Sequence, residues 1–148
     1  MILESVFRRI DFVNRYKKIC EDHNDFDNSM SGNQRKVYSE ILQKIDESTV
    51  YLSKDKSFKS SFSFGEFTLE LVLTLHSGHV QVHLNYLKGE EWLMYNRLDG
   101  YAEELDSSFN RELHNIPKYA SESELEEILK EIFSIYEDIK REASKELA

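Results

Sequence analysis

Residues 67–87, FTLELVLTLHSGHVQVHLNYL, leave the chain few ways to fold. Phe67, Leu69, Leu71, Leu73 and Leu75 alternate with Thr68, Glu70, Val72, Thr74 and His76, the period of two that marks a half-buried strand. Ser77-Gly78 reads as a two-residue hairpin loop. Closing the hairpin there opposes Leu75 with Val80, Leu73 with Val82, Leu71 with Leu84 and Leu69 with Tyr86. A slip of one residue would turn that apolar set toward water. Gly65-Glu66, with glycine first as a type II′ turn requires, opposes Phe64 with Phe67, Phe62 with Leu69 and Phe58 with Leu73. Lys88-Gly89 then begins a turn into Trp92-Leu93-Met94-Tyr95. A two-residue loop there opposes Leu84 with Leu93, and a three-residue loop opposes Tyr86 with Trp92 and Leu84 with Met94. The missing alternation in this last segment predicts a strand covered on both faces.

A meander with one apolar face needs a cover, and the flanking sequence supplies amphipathic helices. Residues 2–21 read as one helix, with Leu3, Val6, Phe7, Ile10, Val13 and Cys20 at three- and four-residue steps and Phe12, Tyr16 and Ile19 widening the stripe. Residues 21–32, EDHNDFDNSMSG, read as a loop. A second helix is expected from about Asn33 to Glu47, buried through Val37, Tyr38, Ile41, Leu42 and Ile45, with Ser31 as its candidate cap. Thr49 to Leu52 either extends that helix or forms a short strand. Asp99-Gly100 is expected to end the sheet. Tyr101, Leu105, Phe109 and Leu113 predict a whole or broken helix to about His114, stopped before Pro117. In the last helix Ser121 and Glu124 form a capping box ahead of a stripe running from Leu125 to Ala143. The expected fold is a single α+β domain over residues 1–148. It is a four-stranded antiparallel meander with one face covered by N- and C-terminal helices, in the order α-α-β-β-β-β-α-α.

Composition narrows the partners. The net charge of −9 disfavours nucleic acid and anionic membranes, both polyanions, as partners. Cys20 is the only cysteine, so no internal disulfide can form and the chain suits a reducing compartment. The N-terminus, MILESVFRRIDFVNRY, is interrupted by Glu4, Arg8, Arg9 and Asp11 and lacks the apolar run of a signal peptide. A cytoplasmic protein is expected.

Catalytic patterns are absent from the sequence: no G-x-S-x-G, no phosphate-binding glycine loop, no H-E-x-x-H. His76 and His79 flank the hairpin turn, while His83 lies about 13 Å beyond His79 on the same strand face. The three cannot share one zinc ion, which needs three or four ligands. Asp25, Asp27 and Ser29 fall at calcium-loop spacing, but Met30 replaces the turn glycine and Lys36 the bidentate glutamate. Cys20 has no histidine partner legible in the sequence, so a half-buried helix cysteine is expected. No catalytic residue, metal or cofactor is therefore assigned.

Charge is unevenly spread. Residues 1–20 carry Arg8, Arg9, Arg15, Lys17 and Lys18 against Glu4 and Asp11, a net of +3. Glu21, Asp22, Asp25 and Asp27 follow with no base between them, and residues 99–148 hold fourteen acids against six bases, a net of −8. The run DGYAEELD adds an aromatic to four acids at a sheet end. Asp22, Asp25, Asp27, Asp99, Tyr101, Glu103, Glu104 and Asp106 are the candidate residues for binding a basic protein partner.

In its size, acidity, meander-and-helix architecture and lack of a catalytic signature, the whole chain resembles the immunity proteins of bacterial polymorphic-toxin and contact-dependent-inhibition systems. The resemblance is one of overall character, with FTLELVLTLHSGHVQVHLNYL as the compatible meander, and no functional residue is carried over from it. It implies a protein without turnover that binds and blocks one cognate toxin domain, often a basic nuclease. The alternative is a secretion chaperone or adaptor, although the type III class places a helix between its third and fourth strands. A small-ligand module on the histidine-bearing sheet face and a divergent enzyme are the remaining readings.

Overall fold

The structure, a computed structural model, describes residues 1–25 and 34–146. Five antiparallel strands follow one another across the sheet: β1 (Val50–Leu52), β2 (Ser57–Phe64), β3 (Phe67–His76), β4 (His79–Lys88) and β5 (Glu91–Arg97). The pairs expected across both central turns are the observed ones, from Leu75 opposite Val80 to Leu69 opposite Tyr86, and from Phe64 opposite Phe67 to Phe58 opposite Leu73. Ser77 and Gly78 both take positive φ, 52° and 77°, so the two-residue turn forms where the alternation requires it.

The expected count of four strands is corrected to five. Val50–Leu52 pairs with Ser57–Lys59, and Lys56, at φ 53°, helps reverse the chain between them. The last turn also differs from both expected forms. Gly89-Glu90 is its loop, placing Lys88 opposite Glu91 and Leu87 opposite Trp92; a bulge then sets Tyr86 opposite Met94. That extra residue accounts for the lost alternation. The expectation of a doubly covered strand is corrected with it, since Trp92 and Tyr95 are 55% and 66% exposed.

The N-terminal segment is two helices, α1 (Glu4–Arg9) and α2 (Phe12–Asp22), rather than one. Asp11 breaks the run in the left-handed region, at φ 57° and ψ 44°, which Asp tolerates better than most residues. The break resets the helical phase: α1 buries Val6 and Phe7, and α2 buries Phe12, Tyr16, Ile19 and Cys20. α3 (Arg35–Ile45) buries Tyr38, Ile41 and Leu42; its proposed cap at Ser31 lies outside the described residues. α4 (Leu98–Leu105) follows β5 at once, so Asp99-Gly100 opens a helix instead of closing the sheet. α4 also stops at Leu105, short of the expected His114. Asp106 there accepts from the Ser108 amide and hydroxyl and turns the chain aside.

α5 (Glu122–Lys145) starts as its cap predicts, with Ser121 Oγ accepting from the Glu124 amide at 3.1 Å. The Glu124 carboxylate reaches one residue further back than a standard box, to the Ala120 amide at 2.7 Å.

Tyrosines tie the helices to the sheet's apolar face. Tyr136 of α5 donates toward the carbonyls of Ser60 and Leu69, and Tyr101 of α4 donates to the Leu84 carbonyl at 2.7 Å. Phe7 and Phe12 stack behind Tyr101. The basic N-terminal helices meet the acidic last helix directly: Arg9 pairs with Glu142 and Glu146, and Arg15 with Asp138.

Leu73 is fully buried at the centre of β3, so Leu73→Ala is expected to lower unfolding free energy by about 2–5 kcal/mol. Thr74→Ala, one residue along on the other face, should change it by less than about 0.5 kcal/mol. Denaturant midpoints measure both.

Candidate functional site

The acidic candidates divide into residues used inside the domain and residues left on its surface. Asp99 is 1% exposed. Its carboxylate accepts from Arg97 Nε and Nη2 at 2.8 and 2.6 Å and from Arg111 Nε and Nη2 at 3.1 and 3.0 Å. Burial pushes this carboxyl up, but the Arg97 hydrogen bond and charge, followed by those of Arg111, hold it below its ordinary value. The two guanidinium forks join the end of β5, the start of α4 and the segment after α4. Tyr101 lies in the core with its hydroxyl on Leu84. Both side chains are buried and bonded within the domain, so the structure places them apart from the exposed acids of the expected patch.

Glu103, Glu104 and Asp106 remain exposed. Asp106 sits beside Val13, Asn14 and Lys17 of α2, whereas Asp22 ends that helix and pairs with Lys18 at 3.0 Å. At roughly 1.5 Å per residue the two acids lie most of a helix length apart. Asp22 instead shares a shallow surface hollow with Glu127 and Glu131 of α5. Asp25 is exposed. Asp27 lies outside the described residues, as does most of the calcium-like run. Among the described residues, the acidic candidates are therefore not gathered into one patch.

Among the described residues, no cluster of three His, Cys, Asp or Glu side chains could hold a metal ion. Cys20 is buried, with Sγ 3.4 Å from the His114 carbonyl, and burial pushes its thiol up to about 12. Such a thiol is no nucleophile near neutral pH.

A more organised site lies on the sheet face that the helices leave open. Antiparallel pairing lines up its side chains in rows across the strands. Lys59, Val72, His83 and Arg97 form one row, and Ser61, Glu70, Asn85 and Tyr95 the next. Leu87 and Trp92 continue the face beyond. A cleft of about 380 Å³ runs over these rows from Leu52 and Asp55 on one side to Trp92 and Tyr95 on the other. On its floor Glu70 meets Lys59 Nζ and Asn85 Nδ2, each at 3.3 Å. Trp92 and Tyr95 stand edge to face at 5.4 Å, and the His83 ring lies 5.9 Å from Tyr95. Burial, with the nearby Arg97 charge adding to it, pushes His83 below its ordinary value and favours the neutral ring.

Asn85 Oδ1 and Ser57 Oγ are buried at this cleft without a hydrogen-bond partner, although buried polar atoms are normally satisfied. A large exposed tryptophan beside a large exposed tyrosine is likewise a combination that binding surfaces favour. The strand alternation made His83, Glu70 and Asn85 legible as one face. Trp92 and Tyr95 were missed because the bulge hid their direction.

No family model, curated protein or solved structure matches this chain. Among the described residues no helix is long and apolar enough to cross a membrane.

Removing the Asp99 charge leaves two arginines facing each other, so Asp99→Asn should cost about 3 kcal/mol. That figure is the low end for a broken buried pair, because the arginines keep partial access to water. With its folded value depressed, Asp99 contributes stability that is complete above the ordinary aspartate pKa and lost as pH falls through the folded one. Urea midpoints measured downward from pH 5 should therefore fall more steeply in the wild type than in Asp99→Asn.

Proposed function

We propose that this protein works by binding, without turnover, and that its open sheet face contacts a basic protein partner of the toxin-domain kind. The observation that carries this reading is the pair of exposed aromatics, Trp92 and Tyr95, beside a cleft whose floor holds unsatisfied polar atoms. Trp and Tyr anchor interfaces because each buries a large area at little conformational cost. The acids divide this work with the face. Those tied down by Arg9, Arg15, Arg97 and Arg111 stabilise the fold. Glu104, Glu127 and Glu131 stay on the surface, where they raise the local concentration of a positively charged partner. Neutralising a toxin domain requires only occupation of an essential surface.

The test begins with a pull-down from cells of the source organism, using wild type beside the double variant Trp92→Ser, Tyr95→Ser. The partner retained by wild type should be basic, should arrest growth when expressed alone and should be relieved by co-expression of wild type but not of the double variant. Association measured against rising salt should slow, because exposed charges are screened beyond about 8 Å near physiological ionic strength. Reversing Glu104, Glu127 and Glu131 to lysine should slow association while the melting temperature stays within about 2 °C, as surface changes do. A harmless partner, or equal relief by the double variant, contradicts the proposal. So does a chemical turnover that copurifies with the protein.

A further inference from the structure

We infer that the open-face cleft receives one arginine side chain of the partner, its guanidinium set against Glu70 and Asn85 beside the Trp92–Tyr95 wall. This rests on the binding reading above and names the chemistry of its central contact.

Charge supplies the first argument. The residues lining the cleft include two carboxylates, Asp55 and Glu70, and one ammonium, Lys59. His83 adds no charge where burial keeps it neutral; neighbouring Arg97 shares Asp99 with Arg111, which also meets Glu103 at 3.6 Å, so two acids offset these two arginines. One incoming cation therefore brings the cleft to balance.

Hydrogen-bonding capacity supplies the second. Asn85 Oδ1 accepts nothing, and Glu70 holds Lys59 and Asn85 only through contacts of 3.3 Å. An ammonium is a compact point charge, whereas guanidinium offers five N–H donors in one plane and meets a carboxylate with two parallel bonds. It can replace the Lys59 ammonium on Glu70, leaving Lys59, already partly exposed, to turn toward water.

The aromatic wall supplies the third. Guanidinium stacks on aromatic faces and is attracted by their electron density. Trp92 and Tyr95, set at 88° to each other, present both a face and an edge to the cleft.

Trp92 is the only tryptophan, so its fluorescence reports on this cleft alone. Full-length protein is titrated with acetyl-Gly-Arg-Gly-amide, and separately with the lysine and citrulline counterparts, at constant ionic strength. Citrulline keeps the shape of arginine and removes its charge; lysine keeps the charge and removes the plane. The arginine peptide should give a saturable change with a half-point at least ten-fold lower than either counterpart. Glu70→Gln and, separately, Tyr95→Ser should each raise that half-point about ten-fold, with circular dichroism confirming the fold in both. Equal response to all three peptides, no saturable response, or saturation unaltered in both variants overturns the inference. If the arginine peptide fails while Trp92→Ser, Tyr95→Ser still abolishes partner binding, the arginine contact falls and the binding face stands. If the peptide saturates but no partner depends on that face, the arginine site stands and the partner reading falls.

Discussion

Two residues at positive φ, Ser77 and Gly78, decide which way every side chain in the central hairpin points. Because strand side chains alternate, a turn shifted by one residue would exchange the two faces of β4 relative to β3. With the turn in place, Leu69, Leu71, Leu73 and Leu75 meet Tyr86, Leu84, Val82 and Val80 beneath the helices. The same turn leaves Glu70, Val72 and Thr74 beside Asn85, His83 and Gln81 on the other face. The core and the candidate site are thus two consequences of one register. Any change that loosened the hairpin would disturb the core and the open face together.

The helices are placed by polar contacts at the ends of apolar side chains. Tyr136 and Tyr101 carry most of their bulk in the core and place their hydroxyls on backbone carbonyls of the strands, so each fixes an angle as well as burying area. Ion pairs do similar work at the rim. Arg9 and Arg15 hold the first helices against the last, and Asp99 gathers Arg97 and Arg111 at the junction of sheet and helix. A charge profile along the sequence therefore overstates the charge shown to a partner, because part of the acidic last third neutralises the basic first twenty residues.

Local patterns made much of the fold legible. Strict alternation across Ser77-Gly78 and Gly65-Glu66 set three strands in register, and the Ser121 cap set the start of α5. Long-range causes set what was missed or left open. Val50–Leu52 is too short to show a period and becomes a strand only because β2 offers it an edge. The break at Asp11 looks like a continuous stripe unless the change of phase between Ile10 and Phe12 is weighed. Asp99 reads as a surface acid until Arg97 and Arg111 converge on it, and Trp92 and Tyr95 read as core until the bulge turns them outward. The candidate site was half visible for the same reason: its floor obeys the strand period, and its aromatic wall departs from it.

The face opposite the helices is proposed here as the surface that contacts the partner. Amide hydrogen exchange, compared between the free protein and its partner complex, tests this most directly. Slowed exchange on binding is expected to centre on residues 91–97 of edge strand β5 and the turn at residues 53–56, with α5 unchanged. Protection confined to α4 and α5, with residues 91–97 exchanging as in the free protein, would contradict it.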